Sequence, residues 1–462
     1  MPNSPSPSPG DPISPAHATD PVFTITSPAD ILSYVPHALG FMPSQTLVLL
    51  TTNGQRLGAT LRVDLPMPSS EPLAFAESVL SFLEGDADAD GTLLIMYTDE
   101  SWPTPDAPPR HRLVLAIEAV LDGAGMPLRA GWLVSSGLWR DYFCTDTLCC
   151  PWPGQHLDDV VDSPLNAELI FGGSAFDASA NDAVRRAVPA LALPAGRRSE
   201  ELTACDDARW DFAIRCAGRW TVPRQFRATS ALWDWLITRE EEFDVEREPA
   251  VAGFLLASLD SRTVRDFLLV SACLGPLTAL RGASACGLLR EGPAVIDDDV
   301  ADAGAAAGAR GPGWVLPEIT AELPDFADAT SGMTDVTTDA TTDSAGRDAA
   351  GQYIDLLAGR HPGPISWPRV DRMTLLLAHL AAVSDGEARA AVLTMSGWFE
   401  YARGRGSRAA AYLDAAERAL PGYRLARLLT ELINRGGLPA WARQRSTAWK
   451  ADRRVPRSRE AA

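Results

Sequence analysis

The stretch from Ser27 to Pro66, SPADILSYVPHALGFMPSQTLVLLTTNGQRLGATLRVDLP, decides how the front of this chain folds. It opens with a short amphipathic helical segment. An apolar run from Thr46 to Thr52 follows and reads as a strand, with Leu57 to Leu65 as its partner. Asn53-Gly54 lies between the two runs. These residue types tolerate the positive φ angles of a tight turn, so a β-hairpin is expected.

Working outward, Pro72–Leu83 and Pro109–Gly123 place apolar residues at helical steps, whereas Thr92–Tyr97 and Leu128–Ser135 are short apolar strands. Leu138–Phe143 is a candidate partner for the last strand. Strands separated by helices of this length imply crossovers onto one mixed sheet. Residues 22–162 are therefore expected to form an α/β sheet domain. Residues 163–291 read as helical, through Asn181–Leu191, Ala204–Gly218, Thr229–Arg239, Glu248–Ser258 and Thr263–Leu274. Trp210, Trp220, Trp233 and Trp235 at helical spacing are expected as core anchors. Helices resume at Gln352 and end near Ala442, so residues 351–442 form the second part of the helical domain. The expected fold is thus an α/β N-terminal domain with a mixed sheet, followed by an α-helical, tetratricopeptide-like C-terminal domain.

The two helical parts are separated by an acidic insert, residues 292–350. Between Pro293 and Asp348 twelve acids face only Arg310 and Arg347, a net charge of −10. Its centre, TSGMTDVTTDATTDSAGRDAAG, has too few bulky apolar residues to offset its ordering entropy, and a disordered loop is expected. The Pro/Ser-rich leader, residues 1–21, and the basic tail, residues 443–462, are also expected to be disordered.

The whole chain of 462 residues carries a formal charge of −19. That balance argues against sequence-independent nucleic-acid binding, which needs a basic face. No apolar segment is long enough to cross a membrane. The first residues lack the basic start and apolar core of a signal peptide, so a cytoplasmic location is expected. The seven cysteines are too sparse for a disulfide framework.

The main chemical candidate is the segment Trp139-Arg-Asp-Tyr-Phe-Cys144, followed by Cys149-Cys150-Pro151 and His156. Cys144, Cys149, Cys150 and His156 are suitable zinc ligands, although their spacing is not that of a common zinc knuckle. The same thiols also fit a loop of buried structural cysteines or a vicinal-thiol redox site. No cofactor other than zinc is suggested. The aspartates of Asp86-Ala-Asp88-Ala-Asp90-Gly91 imitate a calcium loop, but Tyr97 stands where a bidentate acid is needed, so a polar turn is expected. His37 is expected to cap carbonyls at a helix end. Arg62 and Asp64 share one strand face and are expected to pair. The chain shows no P-loop, no dinucleotide-binding glycine pattern, no GxSxG and no HExxH.

One later stretch, Ala390–Tyr423, AAVLTMSGWFEYARGRGSRAAAYLDAAERALPGY, resembles a tetratricopeptide repeat. Leu393, Gly397, Ala409, Leu413, Ala416 and Pro421 occupy the positions where such a repeat alternates large and small residues and closes on proline. The Ser27 block, the Cys144–Pro151 segment, Thr263-Val-Arg265-Asp266 and the Ala390–Tyr423 helices together resemble an actinobacterial family known as domain of unknown function 4192. The resemblance implies an architecture and no activity; the leader and the acidic insert depart from it. Two functions remain open. One is a non-enzymatic protein-interaction or regulatory module that binds a protein partner through its helices. The other is a metal-dependent or small-molecule-binding enzyme built on the α/β domain and the Cys144/Cys149/Cys150 cluster.

Overall fold

The computed structural model describes residues 24–135, 137–188, 195–239, 244, 247–289, 314–318, 342–444 and 446–450. The front region is a six-stranded sheet in the order β2-β1-β3-β4-β5-β6. The strands are β1 (Thr46–Asn53), β2 (Arg56–Asp64), β3 (Gly91–Tyr97), β4 (Leu128–Ser135), β5 (Leu138–Asp141) and β6 (Gln155–His156). Only β3 and β4 run parallel; the other neighbours are antiparallel. That is the mixed sheet the strand and helix alternation implies, with the hairpin supplying its antiparallel edge.

Helices cover both faces of the sheet, which is why β1 is a continuous apolar run rather than an alternating one. Leu47, Leu49, Leu94 and Met96 pack with α2 (Pro72–Leu83) and α3 (His111–Gly123). Val48, Leu50, Ile95 and Trp132 point the other way, onto Leu32 and Val35 of α1 (Pro28–Leu39). Ser27 caps α1 through a reciprocal pair of bonds with Asp30, satisfying free backbone donors at the helix start. Two short helices, α4 (Asp158–Val161) and α5 (Pro164–Phe171), pack against α1 and lead out of the sheet.

The hairpin closes at Asn53 and Arg56, with Gly54 at φ 58°. A bulge near Thr51 leaves the Ala59 N–H free of the ladder. It donates to Thr51 Oγ1 at 2.6 Å and to Asp86 Oδ2 at 3.1 Å. Asp90 Oδ2 accepts from the Gly54 N–H at 2.7 Å. Two aspartates of the calcium-like stretch are therefore spent on pinning the hairpin.

The remaining helices are α6 (Ala180–Ala187), α7 (Ala195–Arg215), α8 (Pro223–Thr238), α9 (Pro249–Ser258), α10 (Arg262–Leu274), α11 (Pro276–Ala285), α12 (Thr342–Leu357), α13 (Trp367–Ala382), α14 (Gly386–Ala402), α15 (Gly406–Ala419) and α16 (Arg424–Gly436). They share one core, anchored by Trp233, Trp398, Trp441, Phe254 and Phe267. Trp220 is buried as expected. Trp210 is not: it is 62% exposed, because the apolar face of α7 turns Cys205 and Phe212 inward instead.

Parts of the acidic insert and of the tail are among the described residues. Helix α12 begins at Thr342, inside the expected acidic loop, and Val315 is held by Gln225, whose Oε1 accepts from the Val315 N–H at 2.7 Å. Within the tail, the centre of the Trp449 ring lies 4.1 Å from the Arg405 guanidinium, and residues 451–462 lie outside the described residues. The leader and the centre of the insert, residues 319–341, lie outside the described residues.

Helices α14 and α15 pack antiparallel where the repeat-like stretch places them. An added Cβ on Gly397 would stand 3.1 Å from Leu413 Cδ2, so the small residue permits the close approach. Yet from Ala390 to Ala402 every residue of α14 is buried. Helix α14 is thus interior to the helical core, whereas α15 keeps Ala410, Asp414 and Arg418 exposed. The two regions meet where Arg62 of β2 donates to Ser407 Oγ of α15 at 3.0 Å. Among the described residues no helix is long and apolar enough to cross a membrane.

Candidate functional site

The loop between β5 and β6 gathers three thiols. The Sγ atoms of Cys144, Cys149 and Cys150 all lie within 4.8 Å of one another, and the two adjacent cysteines are 4.0 Å apart. Tetrahedral zinc with Zn–S bonds of ~2.3 Å separates its sulfurs by ~3.8 Å, so small side-chain rotations would complete a three-sulfur site. His156, the fourth expected ligand, is not part of the group. It sits on β6, paired with Leu138 and exposed. The ladder that fixes β6 keeps its imidazole out of the thiol cluster.

The loop backbone is held by acids and by one arginine. Asp141 Oδ1 accepts from the N–H groups of Phe143 and Cys144, both at 2.9 Å. Asp146 Oδ1 accepts from the Leu148 N–H at 2.8 Å, and its carbonyl accepts from the Cys150 N–H at 2.8 Å. Aspartates bonding backbone two or three residues ahead are turn-making devices, so the segment curls on itself. From β5, Arg140 reaches under the curl. Its guanidinium donates to the carbonyls of Cys144 at 3.1 Å, Pro151 at 2.7 Å and Cys150. The Trp102 and Trp152 rings lie 5.7 and 5.2 Å from it.

Arg140 is only 3% exposed, and among the described residues no carboxylate pairs with it. A buried cation bonded only to neutral carbonyls carries a desolvation cost that a nearby anion would offset. Three thiolates on a divalent ion would be such an anion. As a free thiol Cys150 is a poor nucleophile. Burial, then the neighbouring Cys144 and Cys149 thiols, push Cys150 up to about 12. Redox and nucleophilic chemistry need the opposite, a depressed thiol with a stable thiolate.

Of the other cysteines, Cys205, Cys216 and Cys273 are core residues and Cys286 is half-buried beside the core. Burial pushes Cys205 up to about 12 and Cys216 up to about 11, and raises Cys273 and Cys286. Arg62 and Asp64 pair as expected, at 2.5 Å. His37 does not cap carbonyls. Its Nδ1 lies 2.9 Å from Ser174 Oγ and its Nε2 lies 2.9 Å from Asn166 Oδ1. These partners stand 137 and 129 residues away, and no local motif marks either one.

Fold and site together define a protein with a mixed-sheet α/β region, a helical region and a three-thiol loop at the edge of the sheet. The chain belongs to the family described as Domain of unknown function (DUF4192), whose model matches residues 28–281 and 326–440. The unmatched stretch between the two, residues 282–325, includes the first part of the acidic insert. No curated protein and no solved structure matches the chain.

Proposed function

We propose that this chain is a regulatory protein whose β5–β6 loop binds a thiophilic metal ion through Cys144, Cys149 and Cys150. One observation carries the reading: three sulfurs converge above a buried, acid-free guanidinium. Zinc is the simplest occupant, because thiolates suit it and its binding needs no redox partner. Three protein sulfurs leave one coordination position for a group from outside. Leu148, in the same loop, is 95% exposed and offers an apolar contact to a partner. The partner surface therefore lies at this loop rather than on α14 and α15, whose inner helix is buried.

The test is elemental analysis of full-length protein purified under reducing, chelator-free conditions, followed by zinc titration in competition with a chromophoric chelator. One zinc per chain, lost in Cys144→Ser and Cys149→Ser, supports the reading. Metal-free protein that takes up no zinc in the titration removes it.

A further inference from the structure

We propose that Ser174 is an activated hydroxyl nucleophile, with His37 as its general base and Asn166 as the residue that positions the imidazole. The trio shares no residue with the thiol loop, and the inference does not depend on metal binding.

The hydrogen-bond directions follow from Asn166. Its Nδ2 donates to the Val161 carbonyl at 2.7 Å, which fixes the orientation of the side-chain amide. Its Oδ1 then faces His37 Nε2 at 2.9 Å and, having only lone pairs, must accept a proton from that nitrogen. In the neutral ring this leaves His37 Nδ1 as an acceptor, 2.9 Å from Ser174 Oγ. The hydroxyl therefore donates to the imidazole, as a nucleophile does to its base. A third group holds the base in the correct tautomer, which is the arrangement that activates a serine.

The scaffold holds this geometry from two sides. Asn166 is buried on α5, and its N–H donates to the α5 cap Ser163. Ser174 follows Gly173, whose φ of 81° turns the chain back after the helix. The Ser174 N–H donates to the Leu169 carbonyl at 2.9 Å. Beyond it, the Asp177 N–H donates to the Gly40 carbonyl at 3.0 Å and the Met42 N–H to the Asp177 carbonyl at 2.8 Å. The segment carrying the hydroxyl is thus stitched to the chain just past α1, which carries the base. His37 and Ser174 are both half-buried, so the hydroxyl is screened yet reachable. The Phe176 ring stands edge-on to the imidazole at 4.9 Å. Among the described residues no charged side chain hydrogen-bonds to any of the three. The matching substrate is an uncharged ester.

In the step proposed, Ser174 Oγ forms a bond to the ester carbonyl carbon as its proton passes to His37 Nδ1. The bond from that carbon to the alcohol oxygen breaks, and the leaving alkoxide takes the proton. Water then attacks the acyl-serine, again losing a proton to Nδ1. The carbon–Oγ bond breaks, the carboxylic acid leaves, and Ser174 regains its proton. Water is the only co-reactant.

The test is covalent labelling of the wild-type full chain with a fluorophosphonate, read by peptide mass spectrometry, beside hydrolysis of p-nitrophenyl acetate. We expect the label on Ser174, its loss in Ser174→Ala, and a labelling rate lower by at least about 100-fold in His37→Gln, the scale of general-base assistance. In Asn166→Ala we expect kcat for the ester to fall about tenfold with KM unchanged, a split that simple loosening of the fold would not produce. Wild-type protein that remains unlabelled at Ser174 under saturating probe overturns the proposal. So does labelling that His37→Gln leaves unchanged.

Discussion

Arg140 donates through Nη2 to the backbone carbonyl of Cys144 at 3.1 Å, so the residue that opens the thiol loop is tied to the strand beneath it. The same guanidinium holds the Pro151 carbonyl at the far end of the loop. One buried side chain thus clamps both ends of the segment that carries the three sulfurs.

Arg140→Leu removes that clamp and the positive charge together. Zinc affinity is expected to fall about 10- to 100-fold, the usual effect of losing a group that orients metal ligands. Competition against a chromophoric chelator measures it. Unchanged affinity would show that the loop holds its shape without the arginine.

Metal binding should strengthen as pH rises. The Cys150 thiol is pushed up to about 12, so the ion must displace a proton that the free loop holds tightly. Each step to higher pH lowers that cost. Titrations at several pH values near neutrality are expected to show zinc affinity rising steadily, with proton release on binding. A flat profile would mean that the thiols are not the ligands.

Glu400 offers a stability test independent of the metal. It is 3% exposed and pairs with Arg403 at 2.7 Å. Burial raises its carboxyl, but the attraction of Arg403, Arg408 and Arg405 outweighs burial and leaves the group below the usual range. A lowered folded value stabilises the fold above the unfolded glutamate pKa, and that stability is lost as pH falls through the folded value. Glu400→Gln should cost about 3–5 kcal/mol at neutral pH, the scale for breaking a buried ion pair. The gap from wild type should narrow below about pH 4. Urea unfolding at the two pH values checks both statements.

Gly397 tests the close packing of α14 on α15. A side chain there meets Leu413 and the Ala409 carbonyl, at 3.1 and 3.3 Å from the first added carbon. Gly397→Val is expected to destabilise by about 1–3 kcal/mol through overpacking, read as a lower urea midpoint. Gly406→Ala, where an added carbon meets nothing within 4 Å, serves as the control.

Much of this architecture was legible where local physics decides it. The hairpin around Gly54, helix α2 at Pro72–Leu83 and strand β4 at Leu128–Ser135 all lie where turn chemistry and apolar period place them. The three thiols were legible as a group because one short loop carries them. Other features depend on contacts that no local pattern encodes. Trp210 has helical spacing but faces solvent, since rotation of α7 is set by what packs against it. His156 is close in sequence to the cysteines but is carried away by its pairing in β6. His37 reads as a lone helix-end histidine until the chain brings Asn166 and Ser174 to its two ring nitrogens. Helix α12 starts within an acidic, threonine-rich stretch because Tyr353 and Leu356 find a buried place in the helical core further on.

The central claim is that three sulfurs of one loop hold one ion. X-ray absorption at the zinc edge, on full-length protein loaded with one equivalent, counts those sulfurs directly. The account predicts three sulfur neighbours at ~2.3 Å and a lighter atom in the remaining position. A shell with one sulfur or none, or a spectrum that Cys149→Ser leaves unaltered, would contradict it.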